Sequence, residues 1–206
     1  MMMHAAVIDI GAPGKNLGWA LSGPTPSDGT DLDDCIAAVA AALQTGPVAL
    51  GFEAPMFVPL RDNPTILTKA RCGEALQGIS RPFSASAGAT VLVTALVVVP
   101  YVLSRLRELM PRARATMDWR SPFGDHAELL LFEAFVTNQR KSTDTRHVED
   151  AHLAIAKFQT GMQDPAGFTS AVVEQDCLNL LAASMLRTGW VTDPAVLAEP
   201  CLVVRA

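Results

Sequence analysis

Two carboxylates stand in this chain where strands seldom carry any. Asp9 lies inside the apolar run VIDIG, and Glu53 ends the run LGFEAP, with no basic neighbour in either segment. A carboxylate in apolar surroundings is costly unless it is paired, hydrogen-bonded or bound to a cation. If the two segments are adjacent parallel strands, both acids arrive at one edge of a sheet. Two like charges there call for something positive between them, and a divalent cation is the usual answer. The plainer reading is that each acid caps a loop or pairs with an arginine from the long central connection.

A second pair strengthens the first. His147 and Asp150 are three apart in the segment HVEDAHLAIAKF, so on a helix they project from one face. Both fall in its first turn, where a carboxylate also suits the helix dipole. His152, two residues beyond Asp150, faces elsewhere. Glu133, inside LLLFEAFVT, is a third strand acid. It fits a fourth metal ligand, a partner that orients Lys141 or an arginine, or an outward-facing residue of an edge strand. Oxygen-rich ligation of this kind suits Mg²⁺ or Mn²⁺ rather than zinc. His147 suits proton transfer, because an unperturbed imidazole titrates near ~6.5. The four cysteines (Cys35, Cys72, Cys177, Cys201) show no metal-ligand spacing and read as reduced thiols of a cytoplasmic protein.

The elements that must position these groups follow from the apolar patterning. His4 to Ile10 and Leu17 to Gly23 read as two strands joined by the turn GAPGKN, hence a hairpin, with a possible third edge strand before Thr30. Leu32 to Leu43 reads as a helix with Asp33 and Asp34 in its first turn, Val48 to Ala54 as a buried strand, and Leu129 to Thr137 as another. Between them, helices are expected around Leu67–Leu76, Ala89–Val99 and Tyr101–Met110, with Pro100 opening the last. His147 to Phe158 and Gln175 to Thr188 read as helices, the latter capped by Asp176, and Cys201 to Val204 as a short last strand. This alternation implies one α/β domain over residues 1–206, a mixed sheet with an antiparallel opening hairpin, parallel strands and helices on both faces. Its core spans about 5–160, and a helix-strand extension follows from about 170.

At this level of organisation VIDIG, GWAL, GFEAP and RHVEDAHLAIA together resemble the ribonuclease H-like superfamily. The nearest branch is the Holliday-junction-resolvase-like (RuvC-like) one, with the nuclease families of unknown function grouped beside it. The resemblance runs over residues 5 to 160 in element order. It implies that an acid on the first strand, an acid ending the fourth and an acid on the last helix bind two Mg²⁺ ions. Those roles fall to Asp9, Glu53 and Asp150, with His147 in the ligand position three residues before the helix acid. The chain departs from the superfamily in its glycine-rich opening loop, its long connection from Met56 to Met110 and its extension beyond residue 160.

Charge bears on the partner. The formal net charge is −5, yet from Arg61 to Arg120 nine bases stand against four acids, leaving the remainder with 7 bases against 17 acids. A basic middle section is a candidate face for nucleic acid or a nucleotide. Arg71 and Arg81 in that section, Ser84 in the hydroxyl-rich loop Ser80–Ala89, and Lys15 in the opening turn are the candidate substrate contacts. The stretch from Arg81 to Arg105 holds no charge between those two arginines and approaches the ~18–20 residues of a membrane span. Its serines, threonines and Pro100 favour a buried helix instead, and no signal peptide is expected from the N-terminus. The functions that fit are a divalent-metal-dependent phosphodiester hydrolase, a non-catalytic domain of the same fold, and a nucleotide phosphotransferase of the actin-like class that holds phosphate with Lys15. A homo-oligomer is compatible with all three.

Overall fold

The computed structural model describes residues 3–75, 82–123, 127–136 and 147–206. Strand β1 (His4–Asp9) turns back antiparallel into β2 (Gly18–Ser22), and β2 pairs with the short edge strand β3 (Ser27–Gly29). Helix α1 (Leu32–Thr45) crosses over to β4 (Val48–Glu53), which runs parallel to β1. After β5 (Phe57–Pro59), helix α2 (Ser86–Leu109) and the two-residue β6 (Ala115–Thr116) comes β7 (Leu129–Phe135), parallel to β4. Helix α3 (His147–Gly161), β8 (Cys177–Asn179), α4 (Leu180–Arg187) and β9 (Val203–Arg205) complete the order. The main sheet reads β3-β2-β1-β4-β7-β6, with β9 also parallel to β7, and β5 pairs with β8 in a separate ribbon.

Both faces of this mixed sheet are covered, which is why β1, β4 and β7 are apolar at nearly every position. Alternation along each strand divides the side chains between two cores. Ala6, Ile8, Val48, Leu50, Leu129 and Leu131 join the core shared with α1, α2 and α4. Ala5, Val7, Ala49, Leu130 and Phe132 face α3, which contributes Ala151, Ala154, Ile155 and Phe158. The α3 face is built from small residues, so that helix lies close to the strands. Gly51 leaves room for the Phe132 ring, whose nearest atom would sit 2.4 Å from an added Cβ. Phe132 in turn stacks on Phe158 of α3 at 4.5 Å between centroids.

Several expectations need correction. The chain from Ser86 to Leu109 is one helix, not two, and Pro100 lies inside it. The missing N–H of Pro100 leaves only the Leu96 carbonyl without its helical donor. Val98, Val99, Val102 and Leu103 are buried and anchor both flanking turns. Nor is α2 buried all round. It is long and apolar enough to cross a membrane, but it packs on the core by one stripe and leaves Val93 and Val97 exposed. No α-helix forms over 67–75; a 3-10 turn at Pro64–Ile66 and the unforeseen strand β5 take up the connection. The last long helix starts at Leu180 with Asn179 as its cap, because Cys177–Asn179 is held as β8, so Asp176 caps nothing there. In α1 the cap is Asp31, whose carboxylate accepts from the Asp33 and Asp34 amides. The segment beyond residue 170 supplies β9 to the sheet and α4 to the larger core, so it completes the fold.

Candidate metal centre

Strand parity and register assemble the site. Asp9 stands directly opposite Glu53 across the parallel β1–β4 pair, at the carboxyl ends of both strands. Asp9 shares its parity with Ala5 and Val7, and Glu53 shares its parity with Ala49, so both project toward α3. From α3, Asp150 sits beside the inward-facing Ala151 and Ala154 and is itself 1% exposed. One oxygen from each of Asp9, Glu53 and Asp150 lies within 4.8 Å of the other two.

A glycine makes this approach possible. Gly18 of β2 pairs with Asp9, and a Cβ there would stand 2.5 Å from the Val148 amide nitrogen and 2.6 Å from the His147 carbonyl carbon. Helix α3 therefore descends onto the sheet with its first turn over the end of β1. That contact brings His147 Nδ1 to 2.7 Å from Asp9 Oδ2. The His147 side chain is 38% exposed and Asp9 only 8%, so the imidazole links a buried carboxylate to solvent. His152 faces away and meets Asp28 of β3 at 3.0 Å.

The donor set fits a hard cation. Three carboxylate oxygens converging from two strands and a helix are the donor type that a hard divalent ion takes. Oxygens bound to one Mg²⁺ at about 2.1 Å lie about 3 to 4.2 Å apart, so the triad needs only a small contraction to close on an ion. Beside Glu53 a cavity of about 80 Å³ opens between Ala54, Pro55, Gly88, Val91 and Phe135.

The other candidate residues are placed differently. Glu133 does not join the triad. It pairs with Phe52, one position out of step with Glu53, and so turns to the opposite face of the sheet. There its two oxygens accept from Arg71 Nη1 at 2.8 Å and Nη2 at 2.6 Å, which is the arginine-partner alternative. Arg71 is correspondingly no substrate contact: it is 2% exposed and also donates from Nε to Glu74 at 2.7 Å. Burial alone would depress the Arg71 guanidinium, but Glu133 and Glu74 override it and hold the group above its ordinary value. Ser84 spends its hydroxyl on the Thr68 carbonyl. Lys15 is exposed on the loop after β1, within the turn that an Ala12–Asn16 hydrogen bond closes. Arg81 and Lys141 lie outside the described residues.

The basic middle section is partly consumed by the fold as well. Arg61 pairs with Glu174, Arg105 pairs with Glu108, and Arg107 donates to the Pro111, Ala113 and Gly189 carbonyls. Sequence reading missed Gly18 and Glu74. The small residue facing an acid-bearing strand and the Arg71–Glu74 spacing of three were the available signals. Compared with models of protein families, with curated proteins and with solved structures, the chain matches none.

Proposed function

We propose that this protein is a divalent-metal-dependent phosphodiester hydrolase of the nuclease type, built on a ribonuclease H-like sheet. The observation that carries the reading is the meeting of Asp9, Glu53 and Asp150, from two strands and a helix, with their oxygens within 4.8 Å. The opening antiparallel hairpin, the edge strand beside it, the parallel fourth strand ending in an acid and the acid-bearing helix support the reading.

Asp9, Glu53 and Asp150 would hold Mg²⁺ or Mn²⁺. When bound, such an ion supplies Lewis acidity, lowering the pKa of water and stabilising charge on a phosphoryl oxygen. Asp9 is suited to a shared ligand position because a rigid central strand holds it. His147, bonded to Asp9 and open to solvent, can take a proton from the reacting water or return one to the leaving oxygen. Lys15, exposed on the loop that follows Asp9, is the candidate phosphate contact of this reading.

Thermal unfolding in the presence of Mn²⁺ tests the reading. A ligand at a hundredfold excess over its Kd stabilises the folded state by about 2.7 kcal/mol, roughly 5–10 °C for a chain of this size. Asp9→Asn is expected to abolish most of that rise. An undiminished rise in the variant would show that the ion binds elsewhere. Cation binding without cleavage of DNA or RNA would favour the non-catalytic alternative, which the inward-turned arginines of the middle section also suit.

A further inference from the structure

On the sheet face opposite the acidic triad, one guanidinium and two carboxylates are sealed from water. Arg71, Glu74 and Glu133 are each no more than 2% exposed. An arrangement of this kind adds little to stability, since a well-packed apolar replacement of the whole pair is often neutral or better. Its contacts suggest a different role. The Glu133 Oε2 atom that accepts from Arg71 also accepts from the Met56 amide at 2.8 Å. Arg71 Nη1 reaches the Phe57 carbonyl at 3.2 Å, and its guanidinium lies 4.6 Å from the Phe57 ring centroid. Both partners therefore grip the chain just after Glu53. The intervening turn has few other ties of this kind: the Ala54 amide bonds back to Phe52, and Pro55 has no N–H to offer. On its far side, the Met56 carbonyl accepts from the Leu180 and Leu181 amides at the start of α4.

We infer that the Arg71–Glu133 pair is a positioning device for the metal centre, fixing the Ala54–Met56 turn so that the Glu53 carboxylate is held toward Asp9 and Asp150. The inference rests on the metal reading above and assigns a role to two residues on the far side of the sheet. Neither residue touches the ion or the substrate. Groups that orient a metal ligand typically change affinity about 10–100-fold when removed.

The test replaces the cluster as a unit, Arg71→Met with Glu74→Gln and Glu133→Leu, since Arg71 also pairs with Glu74, and reads two quantities on the full chain. The first is Mn²⁺ affinity by calorimetry, expected to fall at least about 10-fold while the metal-free melting temperature stays near that of the parent. The second is hydrogen exchange of the Met56 amide in metal-free protein, expected to quicken at least about 10-fold while the β1 amides keep their protection. If that variant does not fold, Glu133→Gln is read by Mn²⁺ affinity alone, since it keeps an acceptor for Met56 and removes the charge that binds Arg71. Parental affinity in a folded variant, or unchanged Met56 exchange in the full replacement, overturns the inference. Should the parent itself bind no Mn²⁺, the metal reading fails, and Met56 exchange still decides whether the pair holds the turn.

Discussion

Glu53 and Glu133 are both strand acids in apolar company, and a single step of register separates their fates. Glu53 lies opposite Ala134 while Glu133 lies opposite Phe52, so one faces α3 and the acidic triad and the other faces Arg71. A period of two means that a one-residue offset moves a side chain to the other face of the sheet. In a strand with one wet face that parity can be read from the pattern. In LLLFEAF it cannot, because both faces are buried and every neighbour is apolar. Asp9 and Glu53 were legible for the opposite reason: each ends its strand and stands at the same register position. The four cysteines are unpaired with one another. Burial pushes the Cys35 and Cys201 thiols well up, and burial together with Asp176 and Glu174 raises Cys177 to about 11. Only Cys72 is exposed. A thiol reagent at neutral pH is therefore expected to modify one cysteine in the folded protein and four after denaturation. Because unfolded thiols titrate near 9.0, the folded state retains protons that the unfolded state loses above that pH. Stability from this source is intact below pH 9 and declines as pH rises toward 11, which denaturant midpoints across that range will register.

Among the elements, α3 decides whether the acids meet. Its sequence gives a helix with an apolar stripe, but nothing in HVEDAHLAIAKF states how closely it approaches the sheet. That distance is set on the strands, by Ala5 of β1 and by Gly18 and Ala20 of β2, whose small size lets the helix settle. Gly18→Ala is the sharpest probe of this. Its Cβ would meet the α3 backbone at 2.5 Å, where no flexible side chain can give way. The variant is expected to lose about 1–3 kcal/mol and to weaken Mn²⁺ binding, because lifting α3 carries His147 and Asp150 from Asp9. Parental Mn²⁺ affinity in this variant would show that helix docking does not set the site. The ribbon of β5 and β8 was the least legible element. Phe57–Pro59 and Cys177–Asn179 are three residues each and more than a hundred positions apart, so no local pattern announces the pairing. Pro100 misled for a related reason: the burial of α2 on either side of it overrides the local preference to begin a new helix there.

At the scale of the whole molecule, linear charge proved a poor guide to surface charge. Of the nine bases between Arg61 and Arg120, Arg61, Arg71 and Arg105 are paired with acids and Arg107 with main-chain carbonyls. Any nucleic-acid affinity of this section is therefore expected to show a shallow salt dependence, with a slope of log K against log salt no steeper than about −4.5 on a duplex. A slope near −8 would mean that most of the basic section meets phosphate after all. The mixed sheet with helices on both faces was readable from element order alone, since alternating strand and helix leave few topologies. The contribution of residues 177–205 to that sheet and to the larger core was not, because short strands paired at long range carry no periodic signal. What unites the molecule is a central sheet holding an acidic cluster on one face and a buried ion pair on the other. Anomalous diffraction from crystals soaked in Mn²⁺ examines that cluster most directly. A peak is expected between the carboxylates of Asp9, Glu53 and Asp150, and density at another position or none at millimolar Mn²⁺ would contradict it.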